Sequence, residues 1–158
     1  MGLFSLEESK TPQELSEGMK VKYALTLALS HRARLLILDE PTSGLDPVSR
    51  EDLLETFLQL KEERITILFS THITSDLDKS ADNIIYIRDG SILESGPLDE
   101  FVSGYKVIKA VEKPLGDQVI GCRKSRSGYS ALIRTKDLPW KNGEVSDANL
   151  EDIMVHLE

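Results

Sequence analysis

The first half of the chain alternates between segments of helical periodicity and short runs of unbroken apolar residues. Residues 18–31 place apolar side chains on one helical face, and Ser16 stands where an N-cap is favoured. Apolar runs follow at Leu35–Leu38 and Ile65–Phe69. Such runs are typical of strands buried on both faces of a parallel sheet. The segment between them predicts a right-handed crossover helix, so this part of the chain is predicted to be α/β.

The crossover helix has clear start signals. Asp46 is predicted as its N-cap, and Pro47 occupies the first helical position, where its missing N–H costs nothing. A further short helix is predicted around residues 74–80, after the second apolar run. The buried face of the crossover helix is predicted to comprise four residues: Leu53, Leu54, Phe57 and Leu58.

The second half of the chain is predicted to contain antiparallel strands and short helices. Asp89-Gly90 lies between two apolar stretches and predicts a β-hairpin over residues 83–94. Four further elements are predicted: a helix at 97–102, strands at Tyr105–Val111 and Tyr129–Arg134, and a helix at Asn149–Leu157.

Charge divides the chain near Tyr105. Residues 1–104 carry 19 Asp and Glu against 10 Lys and Arg, whereas residues 105–158 carry 8 against 9. A change of this kind is typical of two differently built regions. We therefore predict an α/β domain over 1–104 and a small α+β extension over 105–158.

Composition excludes several classes of function. The net charge of −8 argues against binding nucleic acid through phosphate neutralisation. No apolar run approaches the ~20 residues of a membrane span, so direct membrane insertion is not expected. Cys122 is the single cysteine, which excludes an intrachain disulfide and fits a reducing, cytoplasmic compartment.

Polar residues that can bind a metal or take part in catalysis follow both predicted strands. Asp39 and Glu40 end the first strand, in the crevice where open α/β sheets bind ligands. One carboxylate there can hold Mg²⁺, and its neighbour can orient or deprotonate a water molecule. His72 follows the second strand and can contact a terminal phosphate. Taken singly, the two acids are more often a solvated strand end, and the histidine is more often a helix-start residue without a ligand.

Ser16 and Gly18 open the first helix, where unpaired N–H groups and the helix dipole favour a phosphate. An ordinary capped helix is the alternative. Asp46 lies in a tight loop, and its N-cap role explains it fully, so contact with another subunit is a second possibility.

The order of these motifs resembles the ATP-binding cassette (ABC) family over roughly residues 13–104. Leu15–Met19 is similar to the family's signature motif LSGGQ, from which it departs at Glu17 and Met19. Leu35–Asp39 is similar to the Walker B strand, and Ser43–Asp46 to the D-loop. Short strings further along also resemble ATPase subunits of ABC-2-type bacterial exporters.

The resemblance implies the C-terminal half of a P-loop NTPase-like cassette that binds ATP and Mg²⁺. Asp39 would position Mg²⁺, Glu40 would be the catalytic base, and His72 would contact the terminal phosphate. Ser16 and Gly18 would contact the ATP of a second, paired cassette in a homo- or heterodimer, and Asp46 would communicate across that dimer. A transmembrane permease subunit would place the protein at the inner face of the cell membrane.

A complete cassette also has a phosphate loop, G-x-x-x-x-G-K-[ST], and this string does not occur in the chain. We therefore expect a truncated ABC transporter subunit that is inactive by itself and depends on that loop, or on a partner, for ATP and Mg²⁺. The alternative is a non-enzymatic module that pairs with a complete cassette. ABC ATPases of translation or chromosome maintenance fit less well, since the chain shows no tandem second cassette or long coiled coil.

Overall fold

A computed structural model describes residues 11–141 and 143–157. The chain divides into two compact units between Ser80 and Ala81. This division comes earlier in the chain than the predicted domain boundary between residues 104 and 105. That boundary was based on charge and on the family resemblance, and it stays a prediction. Among the described helices, none is long and apolar enough to cross a bilayer.

The first unit contains the predicted alternation of helices and strands. A 3₁₀ turn at Pro12–Glu14 precedes five elements: α1 Glu17–Ser30, β1 Leu35–Asp39, α2 Pro47–Glu62, β2 Thr66–Ser70 and α3 Thr74–Ser80. Strands β1 and β2 pair in parallel, from Leu35 opposite Thr66 to Asp39 opposite Ser70. The predicted parallel pairing is therefore confirmed, and it brings the polar ends of the two strands side by side.

The core of this unit lies on one face of the two strands. Leu36 and Leu38 of β1, with Ile67 and Phe69 of β2, pack against apolar residues of α1 and α2. The buried face of α2 differs from the prediction at one position, because Leu58 is 40% exposed. The helical phase set by Leu53, Leu54 and Phe57 instead continues to the fully buried Leu60.

The prediction that these strands are buried on both faces is wrong for this chain. The register places Leu35 and Ile37 of β1 and Leu68 of β2 on the face opposite the helices. These side chains are 52%, 71% and 49% exposed. Apolar runs show that a strand suits a buried environment, but they do not show which element supplies the second layer.

We expect the purified chain to self-associate through this exposed face. Within the described residues the sheet has two strands, so each has an unpaired edge beside the exposed apolar side chains. Replacing Ile37 with Lys should shift sedimentation velocity profiles toward the monomer. Val48→Lys is the matched control, because Val48 on α2 is equally exposed at 71%. A monodisperse, cooperatively melting monomer without substitution would contradict the expectation.

The second unit is built on a hairpin and a four-stranded sheet. Its elements are β3 Asn83–Arg88, β4 Ser91–Pro97, α4 Leu98–Ser103, β5 Tyr105–Ala110, β6 Gly121–Ser125, β7 Gly128–Arg134, β8 Glu144–Asp147 and α5 Leu150–Leu157. The hairpin turns at Asp89 and Gly90, which both have positive φ. The larger sheet has the antiparallel order β6–β7–β5–β8. The predicted hairpin, both predicted strands and both predicted helices are confirmed.

Candidate functional site

Two acids and a serine meet at the carboxyl ends of β1 and β2. Asp39 and Ser70 are register partners, and the Ser70 hydroxyl donates a hydrogen bond to Asp39 Oδ1. The Glu40 N–H donates to both the carbonyl oxygen and the hydroxyl oxygen of Ser70, each at 3.1 Å. Glu40 leaves the strand with φ of 45°, so its side chain departs from the strand alternation. The parallel register thus positions both acids around one serine.

His72 completes this cluster. Its Nδ1 lies 3.0 Å from Glu40 Oε1. A carboxylate oxygen accepts, so this contact requires the proton on Nδ1. Within the described part of the chain, Nε2 has no hydrogen-bond partner, and the His72 side chain is 74% exposed. The imidazole is therefore oriented by Glu40 and presents its second nitrogen to an incoming group.

The carboxylate of Glu40 is incompletely satisfied. Its Oε2 atom is buried and has no hydrogen-bond partner among the described residues. A buried acceptor of this kind suits a water molecule or another donor brought by a ligand. Among those same residues no cluster of three His, Cys, Asp or Glu could hold a metal. The exposed Asp39 carboxylate is nevertheless a ligand of the kind that Mg²⁺ takes singly or in pairs, with water or substrate phosphates as its other ligands.

Ser16 and Gly18 begin α1, as predicted. The exposed Ser16 hydroxyl accepts a hydrogen bond from the Met19 N–H at 3.3 Å. Gly18 is buried, and a Cβ there would lie 2.9 Å from Cβ of Ser49 on α2. The structure thus gives Gly18 a packing role between two helices, and its phosphate contact stays a prediction.

Asp46 caps α2. Its Oδ1 accepts hydrogen bonds from the N–H groups of Val48 and Ser49, each at 3.0 Å. Hydrogen bonds from the Ser49 side chain and backbone hold the pKa of the Asp46 carboxyl below its usual value. Gly44 in the preceding loop has φ of 73°, a conformation that favours glycine. The predicted N-cap is confirmed.

The predicted site residues therefore fall into two groups. Asp39, Glu40 and His72 lie together at the strand ends. Ser16, Gly18 and Asp46 lie near the starts of α1 and α2, linked through the contact of Gly18 with Ser49. Ser70 was not predicted as a site residue. Its signal was present in the sequence, because Asp39 and Ser70 each come directly after an apolar run, and parallel pairing brings such ends side by side.

Comparison with known proteins identifies the class. The chain is 38% identical over 113 residues to the bacitracin transport ATP-binding protein BcrA of Bacillus licheniformis, covering 71% of this chain and 36% of that protein. It is also 38% identical over 105 residues to the energy-coupling factor transporter ATP-binding protein EcfA2 of Clostridium acetobutylicum, covering 66% and 37% respectively. The chain thus spans about a third of the length of these curated relatives.

Solved structures show the same class. The ATP-binding cassette MJ0796, dimeric and bound to ADP and Pi after hydrolysis, matches with a TM-score of 0.53 and 27% identity, over 61% of this chain and 43% of that one. The protein cbiO1 of Clostridium perfringens, part of the ABC transporter complex cbiONQ, matches with a TM-score of 0.54 and 31% identity, over 58% and 37%. A family model described as "AAA domain, putative AbiEii toxin, Type IV TA system" matches residues 9–77.

These relatives and neighbours are ABC transporter ATP-binding subunits and ABC cassettes. The resemblance predicted from the signature, Walker B and D-loop strings is confirmed. The chain has the mixed α/β fold of part of an ABC cassette.

Proposed function

We infer that this chain supplies the hydrolytic residues of an ABC transporter ATP-binding subunit. The observation that carries this inference is the cluster of Asp39, Glu40 and His72 at the carboxyl ends of two paired parallel strands. In open α/β sheets ligands bind at this edge. In this proposal Asp39 would hold Mg²⁺, Glu40 would take the proton of the attacking water, and His72 would contact the terminal phosphate.

The geometry supports a different role for each acid. Asp39 is fixed by the Ser70 hydroxyl through Oδ1, which leaves Oδ2 for the metal. Glu40 is held by His72 through Oε1, and its Oε2, which has no partner in the described part of the chain, would accept the proton. When bound, Mg²⁺ neutralises charge on the phosphate oxygens. With Nδ1–H bonded to Glu40, His72 would donate to a terminal phosphate oxygen through Nε2 when both of its ring nitrogens carry protons.

The second group of residues supports a role at a paired cassette. Ser16 and the N–H groups that open α1 provide an exposed, electropositive helix start for the partner's ATP phosphates. Asp46 lies beside them at the start of α2. We propose a second ABC cassette and a transmembrane permease subunit as partners, at the inner face of the cell membrane. The two paired cassettes would form a homodimer or a heterodimer.

By itself, the 158-residue polypeptide is expected to bind ATP weakly and to show no steady turnover. The loop G-x-x-x-x-G-K-[ST] contributes charge-assisted contacts of roughly 1.5–3 kcal/mol each. The absence of two such contacts costs about 3–6 kcal/mol, or about 10²- to 10⁴-fold in affinity. Equilibrium binding of a fluorescent ATP analogue with Mg²⁺ measures this directly. Micromolar binding that Asp39→Ala reverses would contradict the expectation, as would hydrolysis that Glu40→Gln removes.

A second function is a non-enzymatic module that pairs with a complete cassette. The observation in its favour is that α1 begins at a capped N-terminus whose N-cap residue, Ser16, is exposed. Mixing the chain with a complete cassette distinguishes the two functions. If the chain is an interaction module, the unsubstituted chain and Glu40→Gln should change the partner's ATPase rate equally. If the chain contributes to hydrolysis, Glu40→Gln should abolish its effect on that rate.

A further inference from the structure

We propose that Ser70 is a positioning residue that holds both acids of the site in place for a divalent cation and the attacking water. The proposal rests on the proposed function, because it names the residue that prepares Asp39 and Glu40 for their roles. Ser70 has one hydroxyl group, and both of its hydrogen-bonding capacities are used at this site.

The first contact fixes Asp39. The Ser70 hydroxyl donates to Asp39 Oδ1 across the register pair, and both side chains are exposed. Without this bond, an exposed aspartate samples several rotamers. With this bond, Oδ1 is hydrogen-bonded and the carboxylate is held in one orientation, which fixes the position of Oδ2. A hydrogen bond to a ligating carboxylate orients that carboxylate and commonly changes metal affinity by about 10- to 100-fold when it is removed.

The second contact fixes the backbone of Glu40. The same hydroxyl oxygen accepts from the Glu40 N–H, which also donates to the Ser70 carbonyl oxygen. Glu40 has φ of 45°, which a residue with a side chain adopts when surrounding bonds hold it. This conformation carries the Glu40 side chain toward Nδ1 of His72. One hydroxyl therefore sets the positions of both acids relative to each other.

The test compares Ser70→Ala with Ser70→Thr in the full chain, and needs no nucleotide. Mn²⁺ binding is measured by the loss of the free Mn²⁺ signal in electron paramagnetic resonance, with Asp39→Asn to locate the bound ion. Hydrogen–deuterium exchange of peptides containing Glu40 provides a readout without metal. Ser30→Ala is the control, since it removes an exposed hydroxyl bonded to the Leu27 carbonyl in the same unit.

We expect Ser70→Ala to weaken Mn²⁺ binding about tenfold. Exchange at Glu40 should speed by up to about fivefold, the factor for one hydrogen bond, because its N–H loses one of two acceptors and keeps the Ser70 carbonyl oxygen. Ser70→Thr and Ser30→Ala should match the unsubstituted chain. A Ser70→Ala chain that matches it in both measurements overturns the proposal. If Ser70→Ala speeds exchange throughout the unit, that variant has lost its fold. The test then uses Ser70→Cys instead, because Cys has nearly the volume of Ser but is a weaker hydrogen-bond donor.

A third result separates the proposal from the proposed function. Mn²⁺ binding that Asp39→Asn leaves unchanged counts against the metal role of Asp39. The exchange comparison at Glu40 then decides the role of Ser70 alone, and equal exchange in Ser70→Ala and the unsubstituted chain overturns it.

Discussion

Glu40→Gln is expected to lower ATP hydrolysis about 10²- to 10⁴-fold in a cassette that contains residues 13–104 of this chain. Gln has nearly the shape of Glu but cannot accept the proton that the attacking water must lose. The substitution changes the carboxylate whose Oε2, without a partner among the described residues, we propose as the acceptor. The measurement uses a chimera in which residues 13–104 replace the matching segment of the bacitracin transport relative, with which the chain shares 38% identity.

The control for this prediction is Glu55→Gln. Glu55 is exposed on α2, and its substitution removes the same charge from the same unit. We expect its effect on turnover to stay within about twofold, since surface charges interact weakly. Turnover of the Glu40→Gln chimera close to that of the unsubstituted chimera would show that another group accepts the proton. ATP binding by both chimeras, measured separately, confirms that the nucleotide site is intact.

The candidate site could be predicted from the sequence to the extent that its residues follow recognisable elements. Asp39, Glu40 and His72 each follow a strand that apolar patterning identified, and parallel pairing brings the strand ends together. The sequence could not show that His72 contacts Glu40, because this depends on the φ of 45° at Glu40. Nor could it show the packing role of Gly18, which depends on how closely α1 approaches Ser49.

The fold was predictable where one local signal dominated. Asp46-Pro47 and Asp89-Gly90 set a helix start and a hairpin turn, and the structure has both. Strands β6 and β8 were not predicted. Gly121–Ser125 and Glu144–Asp147 are short and mostly polar, so they lack apolar alternation. They form strands because β6 pairs with the edge of β7 and β8 pairs with the edge of β5. This pairing is tertiary information, which a local pattern does not contain.

The largest expected loss of stability comes from Gly128→Ala in the second unit. Gly128 begins β7 with φ of 142°, and a Cβ there would lie 2.2 Å from the carbonyl oxygen of Ala110. The obstacle is backbone of the paired strand β5, which cannot move without breaking the sheet. We expect a loss of about 3 kcal/mol or more in the free energy of unfolding, from overpacking and an unfavourable φ together.

Gly116→Ala isolates the steric part of this effect. Gly116 has the same φ of 142°, but a Cβ there meets nothing within 4 Å. Both substitutions therefore place Ala at the same φ, and the difference between their effects reports mainly the clash with Ala110. Chemical denaturation followed by the fluorescence of Trp140, which packs against the Ile108 cluster of this sheet, reports the second unit directly. Equal losses for the two variants would mean that β5 yields to the added methyl group, and that pairing with β7 does not hold its position.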